Sequence, residues 1–180
     1  MINMHKIILA GYGGQGMLLC GQVLAFAAMK DGFNVTWFPS YGPEMRGGAA
    51  SCSVIISEKK IDSPVVKNAD ACVAMSQPAF DKYNATIAQG GSMIYNSDII
   101  TVNNKRDDIK YIGIDFSLLA TGVGNLIVSN MVALGSLNGL FSLVSEPSLN
   151  LSLEDKFGVK KAELIGLNKK AIDAGVKAVS

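Results

Sequence analysis

The sequence is poor in the residues from which most self-contained active sites are built. In 180 residues there is one histidine, His5, and there are three cysteines, Cys20, Cys52 and Cys72. The thiols are far apart, no C-x-x-C pair occurs, and each sits in an apolar run. Neither an iron–sulfur cluster nor a structural zinc site is supported, and the cysteines read as buried small hydrophobes. A lone histidine in the first strand supports no histidine-based metal or acid–base site. An excess of either charge is missing as well: 16 basic and 15 acidic residues leave +1. With no block of like charge, nucleic acid and anionic membrane are poor partners. Charged residues make up 17% of the chain against 49% hydrophobic ones, which implies surface meant to be covered. Met1 to His5 shows no charged segment leading into an apolar one, so no secretory signal is read. Together with unpaired thiols, this predicts a cytoplasmic protein.

What the chain does have is glycine, 19 residues of it, and the arrangement near the start matters most. Residues 6–10 form a short apolar run expected to be a buried strand at the centre of a parallel sheet. Gly11-Tyr12-Gly13-Gly14-Gln15-Gly16 follows, and an apolar helix is expected over residues 14–30, closed by Asp31-Gly32. Gly11, Gly13 and Gly16 spell G-x-G-x-x-G between strand and helix. Glycine there permits a sharp turn and close backbone approach to a ligand, while the helix N-terminus offers N–H donors to an anion. Gln15 adds a side-chain amide to the same rim.

An ordinary dinucleotide site also needs an acid at the end of the second strand, about 20 residues on, to hold the ribose. At the end of the second strand, residues 34–39, and just past it stand Thr36, Trp37, Phe38, Pro39 and Ser40 instead. The NAD reading is thereby demoted. A glycine-rich polar loop comes next, Ser40-Tyr41-Gly42-Pro43-Glu44-Met45-Arg46-Gly47-Gly48. Arg46 is suited to fork onto a phosphate or carboxylate, with Glu44 orienting it or pairing across an interface; the alternative is a surface turn with a local ion pair.

Further along, residues 49–57 read as a third strand and 61–66 as an extended return containing Pro64. A buried strand is expected over 71–76, a helix from Pro78 to about Gln89 ended by Gly90-Gly91, and strands over 92–95 and 111–114. Residues 126–144 carry no charge and are long enough to raise the question of a membrane span. Ser129, Asn130, Ser136, Asn138 and Ser142 interrupt them, so they read as a buried or interface helix. Gly122, Gly124 and Asn125 form a second glycine-bearing entry to a helix. Ser152-Leu153-Glu154-Asp155 reads as a capping-box-like start for a short helix stopping at Gly158. The last helix, 160–179, is expected to bury Leu164, Leu167, Ala171 and Ala178. No linker or repeat divides the chain. The expectation is one α/β domain over residues 1–180, Rossmann-like, with a mainly parallel sheet and helices on both faces.

The glycine turn, the nine-residue loop from Ser40 to Gly48, Ser63-Pro64-Val65 and Gly124-Asn125 together resemble the gamma subunit, or gamma domain, of the 2-oxoacid:ferredoxin oxidoreductases. The resemblance spans essentially the whole chain, and the loop is its most specific part. It implies a non-catalytic subunit of a complex that decarboxylates a 2-oxoacid on thiamine diphosphate, passes electrons through iron–sulfur clusters to a ferredoxin-type acceptor, and forms acyl-coenzyme A. Thiamine diphosphate and the clusters would sit on alpha, beta and, where present, delta subunits. This chain would contribute packing and access for coenzyme A, with Gly11, Gly13, Gly14, Gln15, Gly16, Ser40, Tyr41, Glu44, Arg46 and Asn125 as candidate binding residues and no catalytic residue. The isolated chain is expected to be prone to self-association. The competing reading is a stand-alone Rossmann-type nucleotide-binding protein or NAD(P)-dependent oxidoreductase.

Overall fold

The computed structural model describes residues 4–41, 48–158 and 162–180. Six strands, β1 (Met4–Tyr12), β2 (Asn34–Tyr41), β3 (Ala49–Ser57), β4 (Ala69–Ala74), β5 (Ile87–Asn96) and β6 (Lys110–Ile114), form one sheet in the order β2-β3-β1-β4-β5-β6. The pairings β1–β4, β4–β5 and β5–β6 are parallel. Strand β3 alone runs against the rest, paired antiparallel to both β1 and β2. The sheet is thus mostly parallel, with a β-hairpin folded into it. The connection from β2 to β3 is far too short for the dozen or more residues that a parallel crossover needs.

Strand β1 lies between β3 and β4 and is buried on both faces, which is why its apolar run does not alternate. Ile7 and Leu9 face one core with the helices α1 (Met17–Lys30), α3 (Phe116–Val123), α4 (Ser129–Phe141), α5 (Glu146–Phe157) and α6 (Ala162–Lys177). Ile8 and Ala10 face a smaller core with α2 (Gln77–Asn84), closed by Ile100 and Ile109. Helices therefore lie on both faces, though unevenly.

Several local expectations change. Helix α1 begins at Met17 rather than residue 14, because Gly14 and Gly16 take positive φ values of 101° and 77° inside the turn. Phe26, on that apolar helix, is 47% exposed. The segment 61–66 makes no strand. Helix α2 ends at Asn84, and Gly90-Gly91, read as its stop, lies inside β5. There the β4–β5 register jumps from Ala69↔Ile87 to Ala71↔Ser92. Gly90 has φ 79°, and a Cβ on Gly91 would lie 2.8 Å from the Asp70 carbonyl oxygen. The pair serves a bulge with close backbone approach. Helix α5 starts at Ser145, whose hydroxyl accepts from the Ser148 amide at 3.3 Å, with a proline in its first turn. Ser152 is interior to that helix and donates back to Ser148 O at 2.8 Å. The buried face of α6 is Ile165, Asn168, Ala171, Ile172 and Gly175, with Ala178 exposed.

Helix α4 is buried from Asn130 through Leu137, which explains why its sequence carries no charge. Among the described residues no helix is long and apolar enough to cross a membrane. Its tightest neighbour is α6. A Cβ on Gly135 would fall on the Ile172 carbonyl oxygen, and one on Gly175 on the Val132 carbonyl oxygen. The Ser136 hydroxyl donates between Val132 O at 3.0 Å and Gly175 O at 3.1 Å. The small residues of the uncharged segment meet a helix of the same chain.

The three cysteines are at most 2% exposed and free. Burial raises the Cys20 thiol well above its ordinary pKa, reinforced by Cys52. Burial pushes Cys52 up to about 12 against the opposing Trp37 and Gly21 hydrogen bonds, and raises Cys72 further. Since the thiolate is the reactive form, an aromatic disulfide reagent at pH 8 is expected to label none of them in the native protein and all three after denaturation. Labelling of one cysteine in the native protein would show that the helix or strand carrying it opens locally.

Asp31, at the end of α1, accepts from the Ser145 amide at 2.6 Å, the Ser145 hydroxyl at 2.7 Å and the Ser148 hydroxyl at 2.6 Å. It ties α1 to the N-terminus of α5. Partial desolvation raises its pKa, but the hydrogen bonds from Ser148 and Ser145 outweigh that and leave it below the ordinary carboxylate value. The stabilisation is present above the unfolded pKa of about 4 and is lost as pH falls through the folded one. In urea midpoints, Asp31→Asn is expected to trail the wild type most near neutrality, with the gap closing below about pH 4. A gap independent of pH would refute that account.

Candidate functional site

The glycine turn lies at the carboxyl end of β1. In an open α/β sheet, ligand crevices form at that edge, where successive connections leave in opposite directions. The chain leaves β1 through α1 toward β2 and β3 on one side, and β4 continues the sheet on the other. The parallel register ends at Ala10↔Ala74, so the turn and the entry to α2 emerge side by side.

The turn is held by Gln15. Its Oε1 accepts from the Tyr12 amide at 2.6 Å and its Nε2 donates to Met75 O at 2.8 Å. The Gln15 amide donates to Tyr12 O at 3.1 Å, and the Met75 amide to Ala10 O at 2.8 Å. The side chain read as part of the ligand rim thus brackets the turn against the end of β4. Gly11 is required there, because a Cβ would collide with Gln15 Oε1. Gln15→Ala is expected to remove about 1–2 kcal/mol through the two lost hydrogen bonds, and Gln15→Glu to cost at least as much by facing a carboxylate to the Met75 carbonyl. Urea denaturation of the two variants checks this; stability equal to wild type would show that the bracket is slack.

Gly16 occupies the N-cap of α1 in the left-handed region, and no side chain caps the helix. A Cβ on Gly16 would strike the Asn130 side-chain amide. Asn130, buried at the start of α4, donates to Gly16 O at 3.4 Å and accepts from the Met131 amide at 2.9 Å. Gly14 is exposed, with no atom within 4 Å of where its Cβ would sit. The first turn of α1 has no acidic residue. Backbone donors at a positive dipole end, glycine at the exposed corner and a first helical turn free of acidic residues suit a phosphate or carboxylate.

The polar loop springs from the same edge. Tyr41 pairs with Ala50 and Tyr12 with Ala49, and the Gly13 amide donates to Gly48 O at 2.8 Å. The Gly48 end of the loop therefore meets the glycine turn, while the Tyr41 end lies across β3 from it. Glu44 and Arg46 lie outside the described residues, as does the side chain of Tyr41. Ser40 is exposed, and its carbonyl accepts from the Ser51 hydroxyl at 3.5 Å. Asn125 caps the single 3-10 turn Leu126–Val128, its Oδ1 accepting from the Ile127 amide at 3.0 Å. Asn130 of α4, not Asn125, is the residue that touches the turn.

Beneath the turn, a shallow depression of about 30 Å³ is lined by Gly11, Tyr12, Ser51, Ser76, Lys82 and Tyr83, among others. It encloses little more than a water molecule, so any larger ligand at this edge must lie partly in the open. The Lys82 ammonium sits 4.9 Å from the Tyr83 ring centroid, and the Tyr83 hydroxyl is 2.8 Å from that of Ser51. Asn130, Lys82, Tyr83 and Ser51 escape the sequence reading because no motif links them. Only the register and the packing of α2 and α4 bring them here.

A family model described as pyruvate ferredoxin/flavodoxin oxidoreductase matches residues 6–178. Ketoisovalerate oxidoreductase subunit VorA of Methanothermobacter thermautotrophicus is 34% identical over 173 residues, covering 96% of this chain but 36% of that protein. The chain thus spans about a third of that relative's length. 2-Oxoglutarate synthase subunit KorC of Methanocaldococcus jannaschii is 36% identical over 174 residues, 93% of each chain. Among solved structures, the gamma subunit of a keto/oxoacid ferredoxin oxidoreductase from Geobacter sulfurreducens superposes with a TM-score of 0.83 at 33% identity, covering 97% of this chain and 98% of that one. A 2-oxoglutarate:ferredoxin oxidoreductase from Magnetococcus marinus, solved with 2-oxoglutarate, coenzyme A and succinyl-CoA bound, superposes with a TM-score of 0.89 at 29% identity, covering 99% of this chain and 32% of that one.

Proposed function

The chain belongs to the pyruvate ferredoxin/flavodoxin oxidoreductase family, and on that premise we propose that it is the gamma-type subunit of a 2-oxoacid:ferredoxin oxidoreductase, a single domain over residues 1–180. Alpha, beta and, where present, delta chains are its partners, and a ferredoxin-type protein takes the electrons. Among the described residues no three His, Cys, Asp or Glu side chains come together to hold a metal. Those residues offer no donor set for the metal of thiamine diphosphate or for an iron–sulfur cluster, and these groups are assigned to the partners. The three buried free thiols accord with a cytoplasmic location.

Within such a complex the chain's own site suits the phosphates of coenzyme A. The carrying observation is the uncapped N-terminus of α1 at the switch point of the sheet, with Gly13, Gly14 and Gly16 exposing backbone and Lys82 at the rim. Coenzyme A supplies the thiol that accepts the acyl group. This chain's residues bind and orient: the turn donates N–H groups, Gln15 and Asn130 fix its shape, and Lys82 supplies a positive charge. Arg46 on the adjoining loop is the candidate for a second cationic contact, and Ser40, Tyr41, Glu44 and Asn125 complete the proposed binding and docking edge.

Calorimetric titration of the complex, purified from its source, with coenzyme A, NAD and NADP tests the reading. Binding of coenzyme A without response to either nicotinamide nucleotide is the expected result. Tight NAD or NADP binding with none of coenzyme A would restore the stand-alone dinucleotide reading.

A further inference from the structure

Strand β2 ends the sheet, with β3 on one side and, among the described residues, no strand on the other. Natural sheets usually blunt such an edge with charge, because its open backbone groups invite a further strand. Asn34 to Tyr41 carry no charge at all. Pro39, opposite Cys52 of β3, is tolerated in an edge strand where its missing N–H faces outward. Backbone groups alternate between the two sides of an antiparallel strand, so Val35 and Trp37 also direct theirs outward, and Asn34, Thr36 and Phe38 direct theirs to β3. Apolar side chains flank this edge on both faces of the sheet. On α1, Cys20 faces α4 through its bond to Asn130 O, and a Cβ on Gly21 would lie 2.8 Å from Trp37 Nε1 of β2. Met29 stands about 80° round the helix from Gly21, on the side away from α4, with Phe26 next to it. Met29 is 58% exposed, and on the opposite face Phe38 is 49% and Val65 58% exposed.

We propose that β2 pairs antiparallel with β2 of a second copy of this chain, about a two-fold axis at Thr36, so that the two sheets join edge to edge. The axis sets Val35 of each copy opposite Trp37 of the other, and these outward-directed pairs exchange both of their backbone hydrogen bonds. Asn34 lies opposite Phe38, and Pro39 falls just outside the pairing. With no charge on the strand, the axis sets no side chain against its own like. Met29 and Phe26 close over one face of the junction, Phe38 and Val65 over the other. These four side chains leave roughly 400 Å² of apolar surface open on each copy, the size of patch that marks an interaction site. With the strand edges added, the contact approaches the ~800 Å² per partner of a stable interface. An isologous contact needs a surface that complements itself, as an uncharged edge between apolar flanks does. A charged peptide would find no free counter-charge beside it: Lys30 is paired with Asp155 at 2.7 Å, and Asp31 is held by Ser145 and Ser148. The glycine turn, on β1 with β3 between it and the edge, stays open, so the pairing is independent of the coenzyme A reading. In a larger complex it would bring this chain in an even number of copies.

Sedimentation equilibrium of the purified full chain is expected to show a reversible dimer of twice the 19.0 kDa chain mass. Met29→Lys and Phe38→Lys, both at exposed positions, set like charges about the axis. Each is expected to raise the dimer dissociation constant by about tenfold or more. Leu118→Lys places the same charge on an apolar side chain of α3 that is 68% exposed, and is expected to leave the constant unchanged. Amide hydrogen exchange locates the contact. The Val35 and Trp37 amides are expected to slow as rising concentration turns monomer into dimer, while the Thr36 amide, bonded within the sheet, is slow in both. A chain that stays monomeric, a dimer that both edge variants leave intact, or one that Leu118→Lys weakens as much would overturn the pairing. So would Val35 and Trp37 amides that exchange alike in monomer and dimer. None of these results bears on coenzyme A, which the titration of the complex decides separately.

Discussion

Gly135→Ala is expected to destabilise the protein by about 3 kcal/mol, the upper end of what overpacking usually costs. The added methyl would meet the Ile172 carbonyl oxygen of α6, a backbone atom with no rotamer to give way. Gly175, whose own Cβ would strike Val132 O from the other side, leaves the crossing no freedom to slide. Separating the helices far enough would also stretch the Ser136 bond to Gly175 O, now 3.1 Å, and loosen contacts of Met131, Val132 and Leu134 in the main core. For a chain of this size such a loss corresponds to a melting-temperature drop of about 6–12 °C. Thermal and urea denaturation of the variant measure it. Wild-type stability would mean that the two helices are not in backbone contact.

Gly16→Ala is expected to be the most damaging change to ligand binding. Alanine at φ 77° carries a left-handed backbone penalty of about 1–2 kcal/mol, and its methyl would displace the Asn130 amide. Asn130 bonds both Gly16 O and the Met131 amide, so the disturbance reaches the glycine turn and the start of α4 together. Affinity of the complex for coenzyme A is expected to fall by about tenfold or more, since each 1.4 kcal/mol of lost positioning is a factor of ten. Gly14→Ala is the informative companion. It shares a positive φ, 101°, but meets no neighbouring atom, so a moderate stability loss without the Asn130 effect is expected. Equal binding by Gly16→Ala and wild type, measured by calorimetry, would remove the turn from the ligand site.

Legibility in the sequence followed from whether the responsible forces were local. Strands β1, β2, β3 and β6 were readable because apolar and β-branched runs such as Ile7-Ile8-Leu9 and Val54-Ile55-Ile56 carry their own signal; the bounds of β3 agreed with the structure residue for residue. The reversed direction of β3 was readable in principle from the short connection after β2, but the parallel expectation overrode it. Gly90-Gly91 misled, because a glycine pair after a helical pattern looks like a stop, whereas here a long-range register jump against β4 demands it. The stretch Ser152-Leu153-Glu154-Asp155 misled in the same way, the real start of α5 being Ser145 with Pro147 in its first turn. At the candidate site the glycines were legible as a turn. The use of Gln15 depended on Met75, sixty positions along the chain, and that of Asn130 on α4 packing over the turn. Neither pairing leaves a local trace.

Isolating the chain from its native source under anaerobic conditions, and identifying what accompanies it, decides whether it is one component of a larger oxidoreductase. The expected product is a complex several times the 19.0 kDa of the chain, containing thiamine diphosphate and iron–sulfur clusters, that reduces a ferredoxin or a viologen dye with a 2-oxoacid only when coenzyme A is added. A chain that migrates alone at its own mass, with no such partners or activity, would contradict it.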